Sequence, residues 1–412
     1  MIVIVGAGLS GLVCALELAR AGAPFVLMEK NARVGGRLGS IYEDGYTFDL
    51  GFQVLLDNYP AVRAYLDIDA LSPRYFEPGA LMWDAGRTFT FRRPKMWTDF
   101  RSALQTAVDP GVSWGDKLRL GMIAAGLLAR NDEGILDEAD AVSTKTYLEG
   151  FSDAALERFF RPFFGGVLLD NELETSATLF RYYFKKFLTG RTLVPRFGLQ
   201  AIPDQLVGHL PGGALRLESE VTAVAFEGGK ATAVRLASGE EIKLDHLVLA
   251  CPEPVTAKLI GARVREAHPA AVIYFRAEQS IYPEKLLVLQ AGHRKLVRNL
   301  VQITNISPDY APPGAHLISA TVLRARVPPS DVAAAEQEIN HIFKLKPGTL
   351  SHVRTVEIPY AVPAQAPGNV FTQKFAKPFP NVWRCGDQVS HASFQGAMES
   401  GAVTAGTILH DA

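Results

Sequence analysis

Met1-Ile2-Val3-Ile4-Val5-Gly6-Ala7-Gly8-Leu9-Ser10-Gly11 opens the chain, and its reading decides the fold. Four β-branched residues in a row, Ile2 to Val5, predict a strand buried on both faces, as in parallel sheets. Gly6-x-Gly8-x-x-Gly11 comes after it, then an apolar helical run from Leu12 to Arg20 that Gly22 stops. Each glycine has a task. Gly6 permits the tight turn, Gly8 lets the backbone approach a pyrophosphate, and Gly11 allows close packing of helix on strand. A diphosphate would rest on unpaired amides at the helix amino end, with Leu9 and Ser10 in the cradle. A second strand, Pro24 to Met28, delivers Glu29 and its neighbour Lys30 at the offset of about 20 residues where an acid bonds a ribose hydroxyl. Strand, turn, helix, strand and acid in this order predict an α/β dinucleotide site.

The residues after Glu29 narrow the cofactor. Lys30-Asn31-Ala32-Arg33-Val34-Gly35-Gly36-Arg37 resembles the extended signature of the FAD-dependent amine oxidase, phytoene desaturase and protoporphyrinogen oxidase superfamily. There a Gly-Gly-Arg element binds the diphosphate, which the resemblance assigns to Gly36 and Arg37. A guanidinium suits the task because its planar fork matches phosphate and stays charged. Tyr46 to Phe52 is similar to the family's Asp-x-Gly segment beneath the flavin, implicating Gly51 and Phe52. Pro195 to Leu206 resembles the glycine-containing return to the flavin domain. Val221 matches a residue whose backbone pairs with adenine. Near the far end, Asn381 to Asp387 reads as a strand ending in Gly386-Asp387, before a helix from Gly396-Ala397 onward. By the same resemblance Asp387 bonds a ribityl hydroxyl. The helix amino end faces the flavin pyrimidine, where reduced flavin carries negative charge.

The resemblance covers about half the chain. It implies a Rossmann-type FAD-binding domain of the glutathione-reductase type with a second, mixed α+β substrate domain. The FAD domain is expected in three segments, 1–86, 192–266 and 355–412, and the substrate domain in two, 87–191 and 267–354. Helical periodicity fills the first substrate segment after strand-like Arg87 to Phe91. Short strands such as Ala271–Phe275 and Leu317–Val322, with a helix near Val332 to Phe343, fill the second.

Composition sets outer bounds. The chain has 412 residues, 48% apolar and 21% charged, which fits a globular protein of two to three domains. A formal net charge of −1 offers no bulk attraction for nucleic acid or an acidic membrane. Three scattered cysteines show no metal-ligand spacing, so no metal and a reduced, cytoplasmic setting are expected. No leader segment is expected ahead of the first strand. No apolar run approaches the roughly 20 residues needed to span a bilayer.

The substrate half is read from departures and oddities. Amine oxidases of the superfamily usually place a cage tyrosine about three residues before the glycine matching Gly396. Here Ser393 stands there, with Phe394 beside it, which counts towards carbon–carbon dehydrogenation. Phe159 to Phe164, around Pro162, reads either as a packed hinge or as an aromatic cavity wall in which Arg161 holds a polar or anionic group. His391 is the candidate general base. Cys385 reads as a buried cysteine rather than a flavin tether. The 180–187 helix is expected to bury one face and solvate the other. Lys117 to Arg130 is apolar nearly all round: a buried helix, or a monotopic patch admitting a lipid-like substrate, with peripheral membrane contact.

Together these predict an FAD-dependent oxidoreductase taking hydride from a small apolar, isoprenoid- or tetrapyrrole-like substrate, with oxygen or a quinone as electron acceptor. A flavin amine oxidase, a non-redox flavoprotein mutase or isomerase, and a flavin-binding regulator without turnover are the rival readings.

Overall fold

The computed structural model describes residues 1–84, 86–92, 113–138, 141–292 and 295–411. The opening strand Ile2–Val5 lies at the centre of a six-stranded sheet, paired in parallel with Phe25–Met28 on one side and His246–Leu249 on the other. Leu215–Arg216 and Val382–Arg384 extend it in parallel, and Ala376–Phe379 closes the edge antiparallel. The alternation of the strand explains its unbroken β-branched run. Ile2 and Ile4 face the helices Leu9–Arg20 and Phe394–Asp411, while Val3 and Val5 face a three-stranded antiparallel layer spanning 221–243. Both faces are covered, so neither can be polar.

A seven-stranded sheet forms the second layer. Its strand order is Ser351–Pro363, Ala267–Ala277, His316–Val322, Val297–Gln302, Leu287–Gln290, Gly79–Asp84 and Arg87–Arg92. All neighbours are antiparallel except Leu287–Gln290 with Gly79–Asp84. The helix Pro329–Phe343 packs on one face, burying Ala335 and Ile339 against Ile273, Phe275 and Ala320. The other face turns towards the nucleotide sheet. Two stretches read from sequence as FAD segments lie here: Gly79–Asp84 is an inner strand, and Ser351–Pro363 crosses the expected boundary at 355 as an edge strand. A two-residue alternation shows that a strand has a buried face, not which sheet receives it.

Among the described residues of the expected helical segment, helices at Trp114–Leu128, Arg161–Leu168 and Ala177–Thr189 pack over the space between the two sheets. The part of that reading falling on 93–112 lies outside the described residues. The helix read at 117–130 starts earlier, because Ser113 and Asp116 form a reciprocal cap: the Ser113 hydroxyl accepts from the Asp116 amide, and the Asp116 carboxylate accepts in return. It is not a buried helix. Trp114 is 72% exposed, Leu118 67% and Met122 60%. The aromatic helix Ala177–Thr189 also differs from expectation. Lys186 is buried between the Tyr59 and Tyr182 rings and paired with Asp132, so the face expected in solvent is packed.

Candidate functional site

One cavity of about 1680 Å³ runs from the glycine fingerprint to the underside of the Trp114–Leu128 helix. Ordinary ligand sites enclose roughly 300–1,000 Å³, so this one has room for a dinucleotide and a second molecule. Its cofactor end is built by backbone. Gly6 has φ +104° against Ala250, a conformation side chains resist. A Cβ on Gly11 would overlap the Gly6 carbonyl, so helix and strand touch only because that residue is glycine. Gly8 has open space where its side chain would be. Leu9 and Ser10 line the cavity at the helix amino end.

Glu29 is 5% exposed at the carboxyl end of its strand. One carboxylate oxygen accepts from the Ala7 amide at 3.0 Å, the other from the Asn31 amide at 3.0 Å and side chain at 2.6 Å. Those bonds fix the acid at the cavity wall, beside Lys30. The Gly35-Gly36 turn is held to the fingerprint by the Gly35 amide donating to Ala7 O. Arg33 ties it from behind, its guanidinium donating to the Val34 and Gly36 carbonyls. Arg33 was visible in the sequence only as a charge among glycines.

Arg37 joins the two distant motifs: its Nη2 donates to Asp387 Oδ1 at 2.7 Å and its Nη1 to the Ala361 carbonyl at 2.8 Å. Gly36, Arg37, Gly51, Phe52, Val221, Asp387 and Ala397 all line the cavity. Gly11, Gly386 and Gly396 do not. Gly396 sits where a Cβ would overlap the His391 carbonyl, and Gly386 has φ +123° beside Gln388. Their work is to let other backbone reach the site.

Beneath this region lies Asp49, fully enclosed. Its carboxylate accepts from the Ser40 and Tyr310 hydroxyls and the Leu199 amide, while Tyr274 donates to its backbone carbonyl. Burial raises its pKa to about 6, against the pull of those bonds. Asp49 therefore clamps the Leu50-Gly51-Phe52 segment to the seven-stranded sheet.

His391 is placed away from the cavity, which corrects its reading as a base. The ring is fully buried, 4.8 Å from Tyr182, with Nδ1 sharing a hydrogen bond with Ser393 Oγ at 3.0 Å and Nε2 unpartnered. Burial, with Lys374 and Lys186 nearby, pushes its pKa down to about 3. Its neighbours Ala392, Ser393 and Phe394 line the cavity instead. Arg161 is likewise turned away. Its guanidinium pairs with Glu157 at 2.9 Å and donates to the Asn171 carbonyl, so it braces a loop and does not line the cavity. Cys385 is buried, its thiol pushed up to about 12 by burial, and it does not line the cavity.

Ser393 explains itself structurally. Its hydroxyl accepts from the Gly396 amide at 3.0 Å and so caps the helix Phe394–Asp411. The sequence signal was present: a serine three residues ahead of Gly396 is an N-cap pattern, and the helix starts two residues earlier than expected. Aromatic faces reach this place from elsewhere. Tyr59 precedes the helix Pro60–Tyr65, and Tyr183 comes from Ala177–Thr189, its hydroxyl donating to the Ala392 carbonyl at 2.9 Å. Neither had a local sequence signal.

The outer half is apolar. The segment Leu156–Leu168 splits its phenylalanines: Phe160 and Phe164 are buried against Phe180, while Phe159 and Phe163 stack 6.1 Å apart along the cavity wall. The segment thus packs one face as a hinge and lends the other to the cavity wall, without Arg161. Phe184 and Phe187 continue the wall, and Leu120, Ala124 and Leu128 of the surface helix close it. Among the described residues, no group of histidines, cysteines and acids could hold a metal.

A parallel nucleotide sheet, a glycine-built diphosphate cradle and a second, apolar chamber in one cavity define an FAD-binding oxidoreductase fold. A profile of the family described as flavin containing amine oxidoreductase matches residues 9–409, and the chain belongs to that family. By family it is a flavin-dependent oxidoreductase with FAD as cofactor. It is 26% identical over 277 residues to a 4,4'-diapolycopene oxygenase of Methylomonas sp, covering 60% of this chain and 54% of that protein. With a phytoene dehydrogenase of Streptomyces griseus it shares 26% over 377 residues, 77% of this chain and 71% of the relative. The chain thus spans about half the length of the first of these relatives. Its fold matches a putrescine oxidase structure with a TM-score of 0.70 at 18% identity, over 99% of this chain and 98% of that one.

Proposed function

We propose that the protein dehydrogenates a small apolar substrate of isoprenoid-like or tetrapyrrole-like shape, passing its electrons on to oxygen or a quinone. The observation that carries this reading is the single cavity whose outer chamber is walled by Phe159, Phe163, Phe184 and Phe187. Each buried CH₂ contributes roughly 0.8 kcal/mol there, while a charged amine would lose its hydration. The fingerprint, Glu29, Arg37 and Asp387 would hold FAD, which when bound would supply the hydride acceptor. The chain's own part is to align a carbon against that acceptor and exclude water. With His391 and Arg161 turned away, positioning and the helix amino end at Ser393–Ala397 carry that part.

Access is through the surface helix. Trp114, Leu118 and Met122 recur every fourth residue on its outer face, while Lys117, Leu120 and Ala124 line the cavity beneath. No described helix is long and apolar enough to cross a membrane. The reading is therefore a helix lying in the plane of a lipid surface, through which an apolar substrate enters.

Tyr59, Tyr183 and Phe394 favour a second reading, because together they offer the aromatic faces an amine oxidase needs. Mass analysis after aerobic turnover of isoprenoid and porphyrinogen candidates tests the first. A dehydrogenase yields a product lighter by one pair of hydrogens. A product of unchanged mass marks a mutase or isomerase, and conversion of amines alone marks the second reading.

A further inference from the structure

Part of a cross-strand row of the seven-stranded sheet floors the outer chamber. Register places Met82, Leu289, Asn299, Thr321, Val272 and Val356 side by side across six strands. Four of the six are apolar: Met82 and Leu289 line the chamber, and Val272 and Val356 belong to the core beside it. The two in the middle are polar. Asn299 is 5% exposed and Thr321 3%, and both line the cavity. Asn299 Oδ1 and Thr321 Oγ1 find no hydrogen-bond partner in the protein. Buried polar groups are almost always paired, and each one left unpaired costs free energy that an aliphatic residue would not. Space is reserved around them as well. Gly166, on the helix above, would bring a Cβ within 3.2 Å of the Asn299 amide nitrogen if it carried one.

We propose that Asn299 and Thr321 form a polar end-stop that binds one neutral hydroxyl or similar donor–acceptor group of an otherwise apolar substrate. This rests on the apolar-substrate reading and sharpens it, from hydrocarbon to amphiphile. The pair presents an amide oxygen that needs a donor, an amide nitrogen that needs an acceptor, and a hydroxyl that serves either way. A hydroxyl satisfies two of these at once. The flanking residues of the row are uncharged, which suits a neutral group better than a carboxylate. Fixing one end of a long apolar molecule also decides which of its carbons lies against the flavin, so the end-stop sets the site of oxidation.

The test uses FAD-loaded protein with geranylgeraniol and its methyl ether, which share a skeleton but differ in the ability to donate. Binding is read from the perturbation of the bound flavin's absorbance. The wild-type protein should prefer the alcohol by about tenfold, the range of a hydrogen bond to a buried partner. Asn299→Leu should abolish that preference, and Thr321→Val should reduce it. Because neither residue touches the cofactor end, both variants should retain FAD. If Asn299→Leu does not fold, Thr321→Val carries the comparison. Equal binding of alcohol and ether by the wild type, or a preference undiminished in the variants, would overturn the end-stop while leaving the apolar chamber intact. Binding of neither compound would contradict the apolar-substrate reading itself, and the end-stop with it.

Discussion

In the six-stranded sheet the site is made at strand ends, where Val5, Met28 and Arg384 hand over to glycines, Glu29 and Asp387. In the seven-stranded sheet it is made at strand middles, where Met82, Leu289 and Asn299 form a floor. One half works with backbone amides and close approach, and its tolerance for side chains is near zero. The other works with side-chain faces and shape, which cores accept in many combinations. A single family can therefore keep its cofactor while its chamber changes.

Glycines should show the contrast most sharply. Gly11→Ala places a Cβ inside the Gly6 carbonyl, so the variant should yield little folded protein, and that without FAD. Gly121→Ala, on the helix over the outer chamber, meets nothing within 4 Å. It should keep FAD and gain about 0.5–1 kcal/mol from helix propensity. Thermal melts and flavin content of the two variants check both. Similar losses in both would erase the distinction.

Glu29→Ala ranks second in expected effect. Loss of a charge-assisted bond to ribose, worth roughly 1.5–3 kcal/mol, should weaken FAD binding about ten- to a hundredfold. Reconstitution titrations of apoprotein measure it, and unchanged affinity would reduce Glu29 to a brace for Ala7 and Asn31.

Two buried titrating groups, His391 and Asp49, should respond to pH in opposite directions. His391 is held neutral, with a folded pKa of about 3 against an ordinary 6.5. Its stability contribution is complete above pH 6.5 and is lost as pH falls towards 3, because the unfolded chain takes up the proton first. Asp49 is raised from 3.8 to about 6, so its contribution is complete below 3.8 and is lost as pH rises through 6. Melting temperature against pH should flatten on the acid side in His391→Gln. In Asp49→Asn the loss between pH 4 and 6 should disappear. Parallel curves for variants and wild type would mean that neither group is as enclosed as it looks.

The smallest effect on stability is expected at the surface helix. Trp114→Glu with Leu118→Glu removes exposed apolar surface and should change stability by no more than about 0.5 kcal/mol. Sedimentation with phosphatidylcholine vesicles should nonetheless fall severalfold. Equal sedimentation would detach the helix from any lipid surface.

Legibility in the sequence divided along the same line. Gly6, Gly8 and Glu29, which line the cavity, could be picked out because each answers to a fixed backbone geometry at a fixed spacing, whereas Arg37 and Asp387 were picked out by resemblance to the family. The Asp387 partnership with Arg37 was not, since nothing local links residues 350 positions apart. His391 was misread because a loop histidine near a cofactor motif has no signature distinguishing a facing ring from a buried one. Ser393 was read as a missing aromatic when its position also spelled a helix cap. Asn299 and Thr321 left no trace, as their meaning arises only when two strands align them.

If the outer chamber presents an apolar substrate to the flavin, anaerobic reduction should reveal it without the need to identify a product. FAD-loaded protein mixed without oxygen with isoprenoid compounds should lose its oxidised flavin absorbance, while putrescine and simple primary amines should leave it unchanged. Rapid bleaching by a primary amine, abolished in Phe394→Ala and absent with every isoprenoid offered, would contradict an apolar-substrate chamber.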